Sequence, residues 1–341
     1  MVIMFTHEGH VLSDAWYFVD EATNTCHMFY ISWPIEEDGS KAPFVGHATT
    51  NDLFNWERLP PVLHQGPPGS WDDLRLCTGS IIKRDGRYWM AYSATSTTDS
   101  SFETIWAQHR TQRVGMAVSD DLLTWEKLAD NPTLESSSPY YEYMGTGQRK
   151  MVHWRDPHLF DDGHQVYQFI SARSVHGEMD ARGTVAIAVG TDMCNWEILP
   201  PLEHDHVSDE MECPQIYQIG NRWYLVFVTP GRSLTTSFAK RFGKDVPQYT
   251  NYSMVSDHPF GPFRIHGTGQ IVDHPTDTFF YAAQLVHFNN GWYLFATVHN
   301  EHISDPVPVY GDETGVHAIN NPTIHPPSQG ESISTDHSGK I

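Results

Sequence analysis

Asp52-Leu53-Phe54-Asn55-Trp56-Glu57-Arg58-Leu59 returns as Asp121-Leu122-Leu123-Thr124-Trp125-Glu126-Lys127-Leu128 and again as Asp192-Met193-Cys194-Asn195-Trp196-Glu197-Ile198-Leu199. A degenerate fourth copy, Ser256-Asp257-His258-Pro259-Phe260-Gly261-Pro262-Phe263, follows at a similar interval. The period is roughly 70 residues, longer than the about 40–50 of the common propeller repeats, and each unit has room for several short strands. Recurrence this regular implies like blades around an axis, with several strand starts converging on one central pocket. In the repeated phrase itself the indole packs between blades and the glutamate faces solvent. Chemistry is therefore sought between the copies.

Each unit reads as strand, tight turn, strand, loop, third strand and then the Trp phrase. The second strands are the plainest: His27–Ile31, Tyr88–Tyr92, Val166–Ile170, Trp223–Phe227 and Trp292–Ala296, all rich in aromatic and β-branched residues. Hairpin signals precede most of them, at Asp85-Gly86, Asp162-Gly163, Gly220-Asn221 and Asn289-Asn290-Gly291. Third strands are expected at Val45–Thr49, Val114–Val118, Thr184–Ala188 and Tyr252–Val255. The fold class is all-β, a five-bladed β-propeller over residues 1–310. From about Asp305 the pattern fades, and residues 311–341 are expected to form a weakly ordered tail. Gln65–Asp73 and Ser137–Arg149 read as loops on the pocket face.

Composition narrows the function. The 341-residue chain carries a formal net charge of -21, which would repel a phosphate backbone or an anionic membrane. No nucleic-acid or membrane partner is expected; an acidic, solvated surface suits a monomer or a symmetric homodimer. Hydrophobic content of 39% and aromatic content of 13% suffice to fill a core. Cys26, Cys77, Cys194 and Cys213 match neither a disulfide framework nor a zinc motif, so reduced thiols are expected. Met1–His10 lacks the marks of a secretory signal and no apolar run reaches about 18 residues, so a cytoplasmic location is expected. His317 and His325 have unconvincing ligand spacing and read as surface histidines; no metal is expected.

The first strand of each unit should line the channel. These strands begin near Asp14, Cys77, Arg155, Glu212 and Tyr281. Three bring a carboxylate to the channel: Asp14, Asp156 and Glu212. Crowding acids beside each other is costly unless they react or find partners. A carboxylate pair in a polar cleft is what glycoside hydrolysis needs, one as nucleophile or base and one to protonate the leaving oxygen. The competing reading is structural, with the acids capping loops and pairing with Arg155 and Arg75.

His153-Trp154-Arg155-Asp156-Pro157 resembles the Arg-Asp-Pro motif of glycoside hydrolase family 32, the invertase-type β-fructosidases, and Met211-Glu212-Cys213-Pro214 resembles its Glu-Cys-Pro motif. Gly46-His47-Ala48-Thr49, running into Asp52-Leu53 and Trp56–Pro60, is similar to the first blade's outer strands. Tyr281-Ala282-Ala283-Gln284, with Asp277 ahead, resembles the fifth-blade signature and adds Tyr281 and Gln284 to the candidate substrate-binding residues. The resemblance covers about Leu12 to Val298. It implies Asp14 as nucleophile, Glu212 as general acid/base, and Asp156 as the acid that binds sugar hydroxyls and stabilises an oxocarbenium-like transition state. Arg155 would orient Asp156 and Glu212. The implied mechanism is retaining and requires no metal or organic cofactor, and the partner is a sugar or oligosaccharide substrate.

Two departures stand out. Where the family usually has Asn-Asp-Pro-Asn-Gly, this chain has Ser13-Asp14-Ala15-Trp16-Tyr17, so the acid survives and its flanks do not. The residues after the fifth blade are also too few for the β-sandwich that family members commonly carry, which implies a propeller-only branch or a partner covering that face. Family 43-like inverting chemistry on arabinosides or xylosides, fructosyl transfer, and a non-catalytic sugar-binding propeller stay open as alternatives.

Further candidates carry two readings each. Trp16, Trp71 and Trp154 are sugar-stacking platforms or fillers between blades. Trp71, in its Gly/Pro/Asp loop, reads as a platform, and Trp16 is open. Asp72 and Asp73 bind hydroxyls or are merely solvated. Thr78 and Ser80, at the start of a channel strand, are hydroxyl ligands. Cys213 reads as a small buried thiol packing its strand.

Overall fold

A computed structural model describes residues 5–35, 43–98, 111–137, 139–143, 153–190 and 192–320. Part of the Ser137–Arg149 loop and the tail beyond residue 320, with His325, lie outside the described residues.

Five antiparallel sheets follow one another along the chain. The first blade is His10–Asp20, Thr25–Pro34, Phe44–Thr50 and Glu57–Leu63; the second is Arg75–Arg84, Arg87–Thr95, Arg113–Ser119 and Glu126–Lys127. The third comprises Trp154–Asp161, Val166–Arg173, Gly183–Gly190 and Trp196–Leu199. The fourth has three strands, Glu212–Ile219, Arg222–Pro230 and Tyr249–Ser256. Among the described residues its outer edge carries isolated bridges to Arg264, Gln270 and Phe279 in place of a fourth strand. Here the degenerate phrase supplies Pro259 and Pro262, which cannot donate to a ladder.

The fifth blade contains Phe280–Phe288 and Gly291–Val298 and is completed by Val307–Asp312 and Gly315–Ala318. The expected boundary at residue 310 therefore falls inside a strand, and the propeller runs on to about Ala318. The signal was weak for a physical reason: only Val307 and Val309 turn inward while Pro308 and Tyr310 are exposed. His317 bonds with Asp312 and Thr314 in this final hairpin, a local structural role.

The hydrophobic core is not central but divided between neighbouring blades. Phe29, Ile31 and Trp16 of the first blade pack on Met90 and Tyr92 of the second. Met116 of the second meets Trp154 and Ile170 of the third, and Phe169 of the third meets Phe227 and Tyr252 of the fourth. Leu225 lies in that same cluster, whereas Tyr224 and Val226 turn to the fifth blade. The ring closes where Leu12 and Met28 pack on Val286 and Phe295, with Phe5–Thr6 paired to His302–Ile303. Each fully buried Phe, Leu or Met contributes roughly 1.5–3 kcal/mol. The axis is left to polar residues.

The Trp phrases are the outer corners, as expected. Trp56 lies edge-on to Phe295 of the neighbouring blade and Trp125 edge-on to Phe29, while Glu57, Glu126 and Glu197 are exposed.

Candidate active site

Each of the five inner strands slips register by one residue at an equivalent level. The slips lie between Leu12 and Ala15, Leu76 and Gly79, Arg155 and His158, Glu212 and Gln215, and Tyr281 and Gln284. A bulge lets an inner strand aim a side chain along the axis instead of into an inter-blade core. At three of the five, the bulged residue takes a left-handed backbone: Asp156 (φ 56°), Cys213 (φ 48°) and Ala282 (φ 50°). Backbone strain of this kind clusters at functional sites.

The ring gathers the expected acids. Asp14 accepts hydrogen bonds from the hydroxyls of Ser13, at 3.1 Å, and of Thr78 on the second blade. Asp156 Oδ2 accepts from the Cys213 backbone N–H at 3.0 Å and lies 3.4 Å from Arg155 Nε. Ligand atoms of Asp14, Asp156 and Cys213 all lie within 4.8 Å of one another. Glu212 Oε2 accepts the Tyr281 hydroxyl and is 3.7 Å from Arg155 Nη2. Arg155 is buried and shared: Nη2 is 2.5 Å from Glu210 Oε1, and Nη1 is 2.9 Å from His153 Nδ1. Thr78, Gly79, Asp156, Pro157, His158, Cys213, Pro214, Gln215 and Gln284 line a narrow axial hollow at this level.

Burial and crowding sort the carboxyls. Burial, followed by the charge of Glu210, pushes Glu212 up to about 8, although Arg155 and the Tyr281 hydroxyl pull the other way. Asp156 is pushed up to about 6 by burial, with Asp14 raising it further and Arg155 opposing. Burial works against the charge on Arg155, but Glu210, Glu212 and Asp156 more than offset it. Tyr281 is raised well above the usual phenol range by burial and by the charges of Glu212 and Asp14. Thus the site holds a buried carboxyl that keeps its proton at neutral pH beside an acid whose oxygens are braced by two hydroxyls. That is the division of labour acid-assisted glycosyl chemistry uses.

Asp14, Asp156 and Cys213 have the proximity of a metal trio, yet their chemistry does not suit one. The Cys213 thiol is raised well above the usual range by burial and by Asp156 and Asp14. The aspartate oxygens are already engaged by Thr78, Ser13 and the Cys213 N–H.

Of the residues expected at the site, Asp14, Asp156, Glu212, Arg155, Thr78 and Tyr281 meet there, and Gln284 lines the hollow. Four others do not. Trp16 is 1% exposed and stacks on Phe29 within the core between the first two blades. Trp71 packs on Tyr92 and over Gly115, where its ring fills the space a Cβ would need. Asp73 is the knot of its own loop: burial opposes its charge, but hydrogen bonds from Thr97, Gly69 N–H and Ser96 outweigh it and bring it down to about 2. Ser80 accepts the Leu159 N–H at 2.8 Å and stitches the second blade to the third. Trp154 is likewise core, and Asp72 is buried against Lys127 and Tyr92. Arg75 lies over the Trp33 ring.

Glu210 was not anticipated. Its signal was present in Asp209-Glu210-Met211-Glu212: in extended chain, residues two apart share a face, so Glu210 and Glu212 approach one cation from the same side.

The chain matches the Glycosyl hydrolases family 32 N-terminal domain over residues 12–312. It is 25% identical over 201 residues to a sucrose-6-phosphate hydrolase of Bacillus subtilis, a match covering 57% of this chain and 36% of that protein. It is 23% identical over 192 residues to an extracellular exo-inulinase of Aspergillus niger, covering 51% of this chain and 33% of the relative. The chain thus spans well under half the length of these curated relatives. Among solved structures, an inulosucrase from Halalkalicoccus jeotgali bound to kestose superposes with a TM-score of 0.72 at 18% identity, over 96% of this chain and 93% of that one. No helix among the described residues is long and apolar enough to cross a membrane.

Proposed function

We propose, from the premise that the chain belongs to glycosyl hydrolase family 32, that its propeller is the catalytic unit of a retaining hydrolase acting on β-fructofuranosides. Sucrose, its 6-phosphate and fructo-oligosaccharides are the candidate substrates, in keeping with the names of the relatives. In the first step an Asp14 oxygen bonds to the anomeric carbon as the glycosidic C–O bond breaks, and Glu212 gives its proton to the leaving oxygen. In the second, Glu212, now a carboxylate, takes a proton from water, and that water displaces Asp14. Asp156, held by Arg155 and the Cys213 N–H, binds ring hydroxyls and steadies the positive charge that develops on the ring. A cytoplasmic location belongs to the same proposal, with a monomer or a symmetric homodimer as the assembly; the four cysteines are free, as a reducing compartment would leave them.

The observation that carries this reading is the raised carboxyl of Glu212, hydrogen-bonded to Tyr281, in the same ring as the Asp14–Asp156 pair. The test is hydrolysis of sucrose, sucrose-6-phosphate, inulin, levan and aryl furanosides by the wild type, Asp14→Ala and Glu212→Ala. The expected result is turnover of at least one of them by the wild type alone, with the first-formed product keeping the substrate's anomeric configuration by NMR. Turnover that survives both substitutions, or an inverted product, would overturn it. Longer saccharides in place of free fructose would mark transfer rather than hydrolysis.

A further inference from the structure

We propose that Glu210 is a positioning residue for this reaction: it holds Arg155 Nη2 away from Glu212 and so leaves the general acid free to carry its proton. The inference rests on the reading of Glu212 as acid, and it concerns a residue outside the recognised motifs.

The geometry is a competition for one buried cation. Nη2 of Arg155 lies 2.5 Å from Glu210 Oε1 and 3.7 Å from Glu212 Oε2, so the same nitrogen reaches both acids and closes on only one. Nε of the same guanidinium is engaged 3.4 Å from Asp156, and Nη1 faces His153 and Gln112. The fork is therefore oriented on every side, and its one option is how Nη2 divides between two carboxylates two residues apart. If Glu210 were neutral, Nη2 would turn to Glu212 and stabilise it as a carboxylate, the form that cannot protonate a leaving group.

Other groups around Glu212 do not substitute for this. Tyr281 donates to it from the fifth blade, and Asp156 and Asp14 stand across the ring as acids. Tyr249, from the third strand of its own blade, is near enough to feel its charge, and Arg232 lies behind Tyr249, donating to that phenol at 3.2 Å. Among these neighbours Arg155 and Arg232 carry the positive charge, and Arg155 is the one in direct reach of Glu212. Glu210 is thus the carboxylate that balances the nearest cation.

The test is the pH profile of kcat/KM for the wild type, Glu210→Asp and Glu210→Gln. Removing the charge lets Glu212 lose its proton more easily, so the alkaline limb should move to lower pH by about one unit or more in Glu210→Gln. Activity at pH 8 should then fall about fivefold or more further than at pH 6. Glu210→Asp keeps the charge on a shorter arm, and its limb should lie between the other two. If the Gln variant does not fold, the Asp variant alone decides, by a smaller shift in the same direction. Activity lowered equally at all pH values, with the limb unmoved, would make Glu210 merely structural and overturn the proposal. Glu212→Gln on an aryl furanoside with a good leaving group is the control. The kcat/KM of that variant, which reports the first step, should be largely rescued there while kcat stays low for want of the second-step base, and failure of kcat/KM to recover would sink the reading of Glu212 rather than the role of Glu210.

Discussion

Two sets of repeated positions occupy opposite ends of the blades, and they use carboxylates in opposite ways. At the outer corners Asp52, Asp121 and Asp192 each accept two backbone N–H groups, from the residues two and three ahead, at 2.7–3.0 Å. Between them Leu53, Leu122 and Met193 turn left-handed, with φ of 64–68°, and drop into the core. Those hydrogen bonds lower all three acids from the ordinary carboxylate range, Asp52 the furthest. At the axis the backbone bulge also repeats, but Leu12, Leu76, Arg155, Glu212 and Tyr281 occupy one equivalent place around it. There Asp156 and Glu212 are pushed up toward neutrality. Repeated side chains on a repeated backbone mark structure; divergent side chains on a repeated backbone mark chemistry.

The sharpest test of that contrast exchanges the two ends. Asp14→Asn should cost about a thousandfold or more in kcat while unfolding in urea stays nearly unchanged, because in the proposed mechanism the group acts in the transition state and not in packing. Leu122→Ala should do the reverse. The side chain is 2% exposed within the core between the first two blades, so its loss should cost about 2–5 kcal/mol with kcat of the folded fraction intact. A corner substitution that cut kcat as deeply as a ring substitution would erase the distinction.

The corners were legible in the sequence for the reason that makes them structural. An acid that must reach two N–H groups, a large apolar residue in a left-handed turn and an indole between blades tolerate little variation, so the phrase recurs and the five blades follow. Asp156 and Glu212 were legible because each sits in a short motif, and Asp14 because it opens the first channel strand. What lay out of reach was orientation. A bulge aims Asp14 and Thr78 along the axis, while Trp16 and Ser80, two residues on, turn into a neighbouring blade; simple alternation puts each pair on one face. Trp71 and Asp73 failed differently. A loop of Trp, Asp, Gly and Pro looks the same whether it binds a sugar or itself, and only the approach of Gly115, Ser96 and Thr97 decides.

The ring should also be a burden on stability. For Glu212 the folded protein holds a proton up to about pH 8, whereas an unfolded glutamate releases it near about 4.3. Between those values the native state binds more protons, so stability falls as pH rises. Glu212→Gln removes that dependence. The variant should be more stable than the wild type at pH 7, on the order of 2 kcal/mol, with the gap closing toward pH 4. Chemical denaturation of both proteins across that range measures it, and parallel curves would contradict the raised carboxyl.

Asp121→Ala gives the smallest expected effect and the opposite sign. Its carboxylate accepts the Leu123 and Thr124 N–H groups at 2.8 and 2.7 Å, but the corner is exposed and water can replace it there. The loss should be about 1 kcal/mol, with kcat unchanged. Because this acid is lowered in the folded state, its contribution is present above an unfolded value of about 3.9 and disappears as pH falls through the folded one. Wild type and variant should therefore differ at pH 7 and converge in acid, whereas the Glu212→Gln gap grows with pH in the variant's favour. Two carboxylates in one chain, one stabilising as pH rises and the other destabilising, would separate scaffold from site by thermodynamics alone, without an assay for the reaction.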